Sequence, residues 1–401
     1  MRTRFERLSA EDLTNLAVEA ADTPMHIGVV AALDGPGLLD RGGQLRYADL
    51  LARIESGLGR VPLLRKVVHR PGVLGGRPVW VDDPAFTIGR HIGQTGLDPP
   101  GGEDQLLRLT ERLMQPTLDR SRPLWRMWFV TGLADGRVAV VVKLHHAIAD
   151  GLAAVRLIAT LLDPPAAGAG PTDPPWRPTP PPRWRELFRD NVSARASAAA
   201  RLARRLADPD SVRRALWSAG AGWRSVSHAW AAPRTSLNAP IGPHRRIAVV
   251  RLDLARAKDI SHGYGGKVND LVLNLIAGGL RALVVARGEP VEGLVLHTAV
   301  AVSLRSGAEA DRAGNRAGTV VVRLPLDEPD AGARLRTITT ETAVAKQGQL
   351  AANEQHLMVW LARSGLMRYV TRRQRLTNLI ESNVTGPPRN SSGCWGSRSR
   401  S

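Results

Sequence analysis

A two-domain α/β protein with a proline-rich linker between its blocks is what this sequence predicts, on three observations. The chain has 401 residues, too many for one core of ordinary size. Strand-like and helix-like patterns alternate in residues 1–163 and again in 236–388. Between these blocks, residues 164–182 hold nine prolines, which lack an amide donor and have a fixed φ, so neither sheet nor helix continues through them.

In the first block, Ser9 precedes a helix-prone run with Asp12 three residues on, a variant of the capping box. Ile27–Leu33 reads as a buried strand ending at the turn Asp34-Gly35-Pro36. Leu124–Val130 and Val138–Leu144 read as a hairpin around Gly132 and Gly136. Gly151–Leu162 has the apolar spacing of a helix. After the prolines, Arg183–Trp230 is basic and helix-prone, with ten Arg against four acids. It reads as a solvated helix pair across the domain junction or, alternatively, as a surface resting on anionic lipid. In the second block, Ile247–Leu252, Leu294–Leu304 and Thr319–Leu326 read as strands. Val268–Arg287 reads as a long helix burying Leu271, Val272, Leu275, Leu280 and Leu283, and Ala333–Leu366 as largely helical. Arg389–Ser401 has no periodicity and is expected to be disordered.

Composition narrows the function. The net charge is +18, yet only five of 55 basic residues are Lys, an excess of Arg that fits a GC-rich coding bias. No nucleic-acid-binding signature accompanies the charge, so no nucleic-acid partner is expected; anionic lipid or a phosphorylated co-substrate suits it better. No run of eighteen apolar residues and no secretory leader is evident, so no membrane-spanning helix is expected. The single cysteine, Cys394, fits a reducing cytoplasm.

The chemistry concentrates at Lys143-Leu-His-His-Ala-Ile-Ala-Asp-Gly151. A strand delivers His145 and His146 to its end, where a loop begins, and alternation sends them to opposite faces. Asp150 can cap the following helix or bind an arginine. A neutral imidazole has a pKa suited to taking a proton from an alcohol. There is no Gly-x-Ser-x-Gly elbow, so no covalent intermediate is expected, and no metal site is evident. A backbone amide near Gly151 and the Asn269 side chain are candidate oxyanion donors.

The pattern HHxxxDG matches the signature shared by coenzyme A-dependent acyltransferases and peptide condensation domains. The resemblance extends further. Arg7–Asp12 with Thr23–Gly28, Trp80–Phe86 with His91, and Leu118–Trp125 are similar to segments of the bacterial wax ester synthase/diacylglycerol acyltransferases. So are Ser236-Leu237-Asn238 with Gly242–Arg246, Val268–Leu273, Val302–Arg305, Gly314-Asn315-Arg316 and Ser382-Asn383-Val384. The resemblance covers residues 1–388. It implies two chloramphenicol-acetyltransferase-like α/β domains joined by a helical linker, with the active site in a tunnel between them. It assigns His146 as general base, Asp150 as structural, and Pro123, Leu124, Trp125, Asn269 and Asp270 as tunnel residues, with core packing the alternative for Leu124 and Trp125. Asp150 could pair with Arg305 or Arg65.

By this resemblance the chain is expected to be an O-acyltransferase. It would move a long-chain acyl group from acyl-CoA, as co-substrate with no bound cofactor, to diacylglycerol or a fatty alcohol. The setting would be the cytoplasm, with peripheral association at the membrane or lipid droplets. The alternatives are a condensation-type amide-forming acyltransferase and an inactive truncated lipid-binding remnant. The second arises because the family's text continues past Gly386-Pro387, where here an Arg/Ser-rich stretch begins. Thr385 and Ala239 also depart from the family's usual Pro and Gly. The second domain is therefore expected to be incomplete.

Overall fold

The computed structural model describes residues 5–20, 22–72, 74–162, 176–208, 232–239, 241–303, 317–347 and 377–384. The first block begins with α1 (Ala10–Val18), capped as the sequence predicts: the Asp12 N–H donates to Ser9 Oγ at 3.0 Å and the Ser9 N–H to Asp12 Oδ2 at 2.8 Å. Its four-stranded sheet runs in the order β1 (His26–Leu33), β6 (Val138–His145), β5 (Trp125–Thr131), β4 (Ile92–Gly96). β1–β6 and β6–β5 are antiparallel and β4–β5 parallel, so the predicted hairpin is present. The strands β2 (Lys66–His69) and β3 (Val79–Asp82) form a separate ladder.

β6 is central, and all eight of its residues are buried, as a near-continuous apolar run requires when both faces are covered. Val138, Val140, Val142 and Leu144 join the main core, together with Leu50 and Ile54 of α2 (Tyr47–Gly57) and Ala154, Ile158 and Leu161 of α4 (Gly151–Leu162). Ala139 and Val141 face the other way, onto Trp128, Val130 and Leu109 of α3 (Glu103–Met114). Full burial of each such Val or Leu contributes about 1.5–3 kcal/mol. Lys143 and His145 share this second face by alternation, which puts two polar side chains inside a hydrophobic sheet.

The described part of the linker lies against the first block. Residues 176–183 form no regular element, and the Thr179 N–H donates to Asp82 Oδ2 at 2.9 Å. α5 (Trp184–Leu206) is docked by Arg7, whose Nη2 lies 2.7 Å from Asp190 Oδ2 and also donates to the Leu187 carbonyl at 3.1 Å. The rest of the predicted helix pair, residues 209–231, lies outside the described residues, as do Arg389–Ser401.

The second block carries α6 (Leu254–Gly263), α7 (Val268–Ala286), β7 (Val295–Ser303), β8 (Ala317–Pro325), α8 (Ala331–Gln347) and β9 (Leu379–Glu381). Its described sheet has the order β8-β7-β9, with β7 antiparallel to β8 and parallel to β9. Leu273, Ala277 and Val284 of α7 pack with Leu296, Val300, Val322 and Ile338 as its core.

Two expectations are corrected here. Ile247–Leu252 makes no ladder; it runs extended across α3, with the Ile247 N–H donating to Glu111 Oε1 at 2.8 Å and Arg251 bonding Glu103 at 2.6 Å. Its nearly continuous apolar run mimics a strand, but its polar anchors are on a helix, and Val250 is 82% exposed. The buried face of α7 is Asp270, Leu271, Leu273, Asn274, Ala277 and Val284, whereas Leu275 and Leu283 are exposed; the helix is apolar on so many sides that pattern alone does not set its phase. That same helix is long and apolar enough to cross a membrane by length and composition alone, as a core helix can be. Here it packs against α8 and the second sheet, and Arg281 on it donates to the Leu326 carbonyl at 2.6 Å.

Candidate active site

His145 and His146 close β6, and their surroundings separate their roles. His145 is fully buried, and its Nδ1 accepts the Ala147 N–H at 2.9 Å. An accepting Nδ1 leaves the proton of the neutral ring on Nε2, which faces Glu19 Oε1 at 3.4 Å, a long contact between a ring dipole and a carboxylate. His26 Nε2 approaches the same oxygen at 3.1 Å. The other oxygen, Oε2, accepts from Arg120 Nε at 3.1 Å and Nη2 at 2.8 Å. Burial alone would raise the Glu19 carboxyl, but His145, His26 and Arg120 outweigh it and hold the group well below the usual carboxylate range. The Leu124 carbonyl accepts the His145 N–H at 3.0 Å, tying the Pro-Leu-Trp segment to the motif.

His146 leaves the strand, and its N–H donates to the Met25 carbonyl at 2.9 Å, at the entry to β1. The residue is half-buried. Burial and then the neighbouring His145 push its imidazole down, more than Asp150 pushes it up. The ring is thus neutral at pH 7, the state a general base needs.

Asp150 caps α4. Its Oδ1 accepts the Ala153 N–H at 2.8 Å and its carbonyl the Ala154 N–H at 2.8 Å. Of the two sequence readings, cap or arginine partner, the cap is present. Arg65 is committed elsewhere: its guanidinium lies 4.9 Å from the Trp176 ring and 3.4 Å from the Glu55 carbonyl. Arg305 lies outside the described residues. Asp150 also acts on Glu11, which burial, then Asp12 and Asp150, push up to about 7.

The second block reaches this centre through residues 382–384. A Cβ added to Gly151 would sit 2.9 Å from Val384 Cγ2, so glycine here permits a close approach of the two blocks. Beside it, Asn383 Nδ2 donates to Asn269 Oδ1 at 2.9 Å, at the first turn of α7. Asp270 is turned inward as a cap, its Oδ2 accepting the Lys267 N–H at 2.7 Å. Pro123 and Trp125 line a cavity of about 440 Å³, while Leu124 packs in the main core. Trp125 is fixed by its Nε1–H to the Leu64 carbonyl at 2.8 Å and by stacking on His91 at 4.7 Å.

Glu19 escaped sequence reasoning, and His26, Arg120 and Val384 entered it only inside resembling segments, with no role assigned. Nothing local marks them. Glu19 follows a helix end, and two of its three partners, Arg120 and His145, lie about a hundred residues away or more.

Comparison with known proteins agrees with this geometry. The pattern of the wax ester synthase/diacylglycerol acyltransferase catalytic domain matches residues 8–272, and that of the WS/DGAT C-terminal domain matches residues 313–394. A Mycobacterium tuberculosis protein named a probable diacylglycerol O-acyltransferase is 31% identical over 396 residues, covering 93% of this chain and 80% of the relative. Another from that organism, under the same name, is 31% identical over 403 residues, covering 96% and 84%. The structure of the wax ester synthase/diacylglycerol acyltransferase from Marinobacter aquaeolei VT8 superposes with a TM-score of 0.62 at 23% identity, covering 95% of this chain and 82% of that one. The first condensation domain of the calcium-dependent antibiotic synthetase gives 0.52 at 18% identity, covering 91% and 78%, a likeness of fold. On the motif, the fold and these matches, the chain is an acyltransferase that belongs to the wax ester synthase/diacylglycerol acyltransferase family.

Proposed function

We propose that this chain moves a long-chain acyl group from acyl-CoA to the hydroxyl of diacylglycerol or of a long-chain alcohol, with His146 as general base. The neutral imidazole of His146 takes the hydroxyl proton as the alcohol oxygen attacks the thioester carbonyl. The oxyanion so formed collapses, the C–S bond breaks, and the coenzyme A thiolate takes the proton back from the imidazolium. A thioester is reactive enough that no acyl-enzyme and no resident cofactor is needed. The Asn269 side chain and a backbone amide near Gly151 are the groups we assign to meeting the oxyanion. The observation that carries the reading is the neutral, half-buried His146 at the turn where residues 382–384 of the second block close on α4. The names of the M. tuberculosis relatives support the choice of diacylglycerol. We place the enzyme in the cytoplasm at a lipid surface, to which its net charge of +18 is drawn.

The test is release of free thiol by the purified chain given palmitoyl-CoA with dioleoylglycerol or with hexadecanol. His146→Ala is expected to lower the rate by roughly 10²–10⁴, the span of general-base effects. Unchanged release in that variant would reject the assignment. Activity with amine acceptors alone would favour the condensation-type alternative.

A further inference from the structure

The cavity beside Pro123 and Trp125 is more basic than an acyl-transfer centre needs. Its wall carries Arg90, Arg122, Arg126 and Lys143, with Asp119 as the one carboxylate. Asp119 is already engaged, by Arg122 at 3.2 Å and by the Ser121 hydroxyl at 2.7 Å. Among the described residues, the guanidinium groups of Arg90 and Arg126 have no carboxylate or carbonyl partner. Arg126 lies 5.0 Å over the Trp128 ring, which occupies the face of its guanidinium and leaves the N–H edge open. Lys143 is 2% exposed, its Nζ held by the carbonyls of Leu113 and Pro116. Burial, then Arg126, pushes that amine down to about 8. A protein places several cations around one hollow at an electrostatic cost, and an arriving anion relieves it.

We propose that this cavity is a phosphate subsite, distinct from the His146 centre, taking the phosphate group of an amphiphilic ligand. Arginine edges match two oxygens of a phosphate at once, and the tryptophan walls suit the apolar part of the same molecule. Lys143 stands three residues before His146, roughly 10 Å along an extended chain, so a phosphate bound here touches no reacting atom. The inference does not depend on which acceptor is acylated, or on His146 acting as a base. The phosphate could arrive on a nucleotide such as coenzyme A or on an anionic phospholipid.

Calorimetric titration of the full chain tests this with three probes: inorganic phosphate, coenzyme A, and vesicles of phosphatidylglycerol against phosphatidylcholine. The comparison is with the double variant Arg90→Ala/Arg126→Ala. Both side chains are exposed, so its thermal midpoint is expected to match the wild type, and the melt verifies that it is folded. Saturable binding of inorganic phosphate, weakened about tenfold or more in the variant and by added salt, is the expected result. A parallel loss with coenzyme A assigns the phosphate to the nucleotide, and a parallel loss with phosphatidylglycerol assigns it to lipid. No saturable phosphate binding to the wild type, or equal binding by the variant, overturns the proposal.

Discussion

Replacing Gly151 with alanine puts one methyl group between the two blocks of the protein, and the structure sets what that should do. The new Cβ would lie 2.9 Å from Val384 Cγ2, where carbon atoms ordinarily rest at about 3.5–4.0 Å. Valine is branched at Cβ and cannot swing clear as a lysine or methionine would. Its neighbour Asn383 is tied to Asn269 at 2.9 Å, so retreat by the segment breaks that bond. Overpacking of this kind costs about 1–3 kcal/mol. Against it stands a gain of about 0.4–1 kcal/mol from removing a glycine whose φ another residue can adopt. The net expectation is a modest loss of stability and a larger loss of activity, because the strain falls where the motif meets the second block. Thermal melts and thiol-release kinetics measure the two. Val384→Ala removes Cγ2, so the double variant should recover most of both losses, with a coupling of about 1 kcal/mol in the cycle. A fully active, fully stable Gly151→Ala chain, or a double variant no better than the single, would refute the reasoning.

Three further predictions concern the buried ionisable groups. Glu19→Gln leaves Arg120, His26 and His145 facing a neutral amide, and should lower stability by about 1–3 kcal/mol in denaturant melts, with kcat falling more than KM rises. Burial sets His146 below its ordinary value, so the acid limb of kcat/KM should lie below pH ~6.5. His26 and His91 are pushed down by burial as well. With folded values below the unfolded one, these rings contribute stability that is fully present above pH ~6.5. That stability is lost as the pH falls through their folded values, so the midpoint of melting should drop on acidification even where activity is not followed.

What could be read from the sequence is what neighbours in the chain encode. The Ser9–Asp12 cap, the β5–β6 hairpin and the helix opening at Asp150-Gly151 each rest on residues a few positions apart, and each is present. The HHxxxDG turn was legible for the same reason. β4 was not: Ile92-Gly-Gln-Thr-Gly96 has two glycines, little apolar content, and becomes a strand only by lying parallel to β5. Ile247–Leu252 failed in the opposite sense, having a strand's apolar, β-branched composition but a helix for its partner. The site divides likewise. His146 and Asp150 announce themselves, while Glu19 and Val384 acquire meaning only when distant segments meet.

The two adjacent imidazoles look like a repeated letter, but they are not interchangeable parts. Both nitrogens of residue 145 are spoken for, one by the amide two positions on and the other turned to an acid from the opening helix's far end. That ring has no free lone pair to lend to a substrate, so an enzyme that loses residue 146 has no spare beside it. Histidine at 145 is an architectural choice: a small, dry, doubly polar piece that ends a strand inside a sheet and aims the next residue outward. Losing it should register first as a protein that no longer assembles, and, on the proposed role of His146, losing its neighbour as one that assembles and turns over slowly.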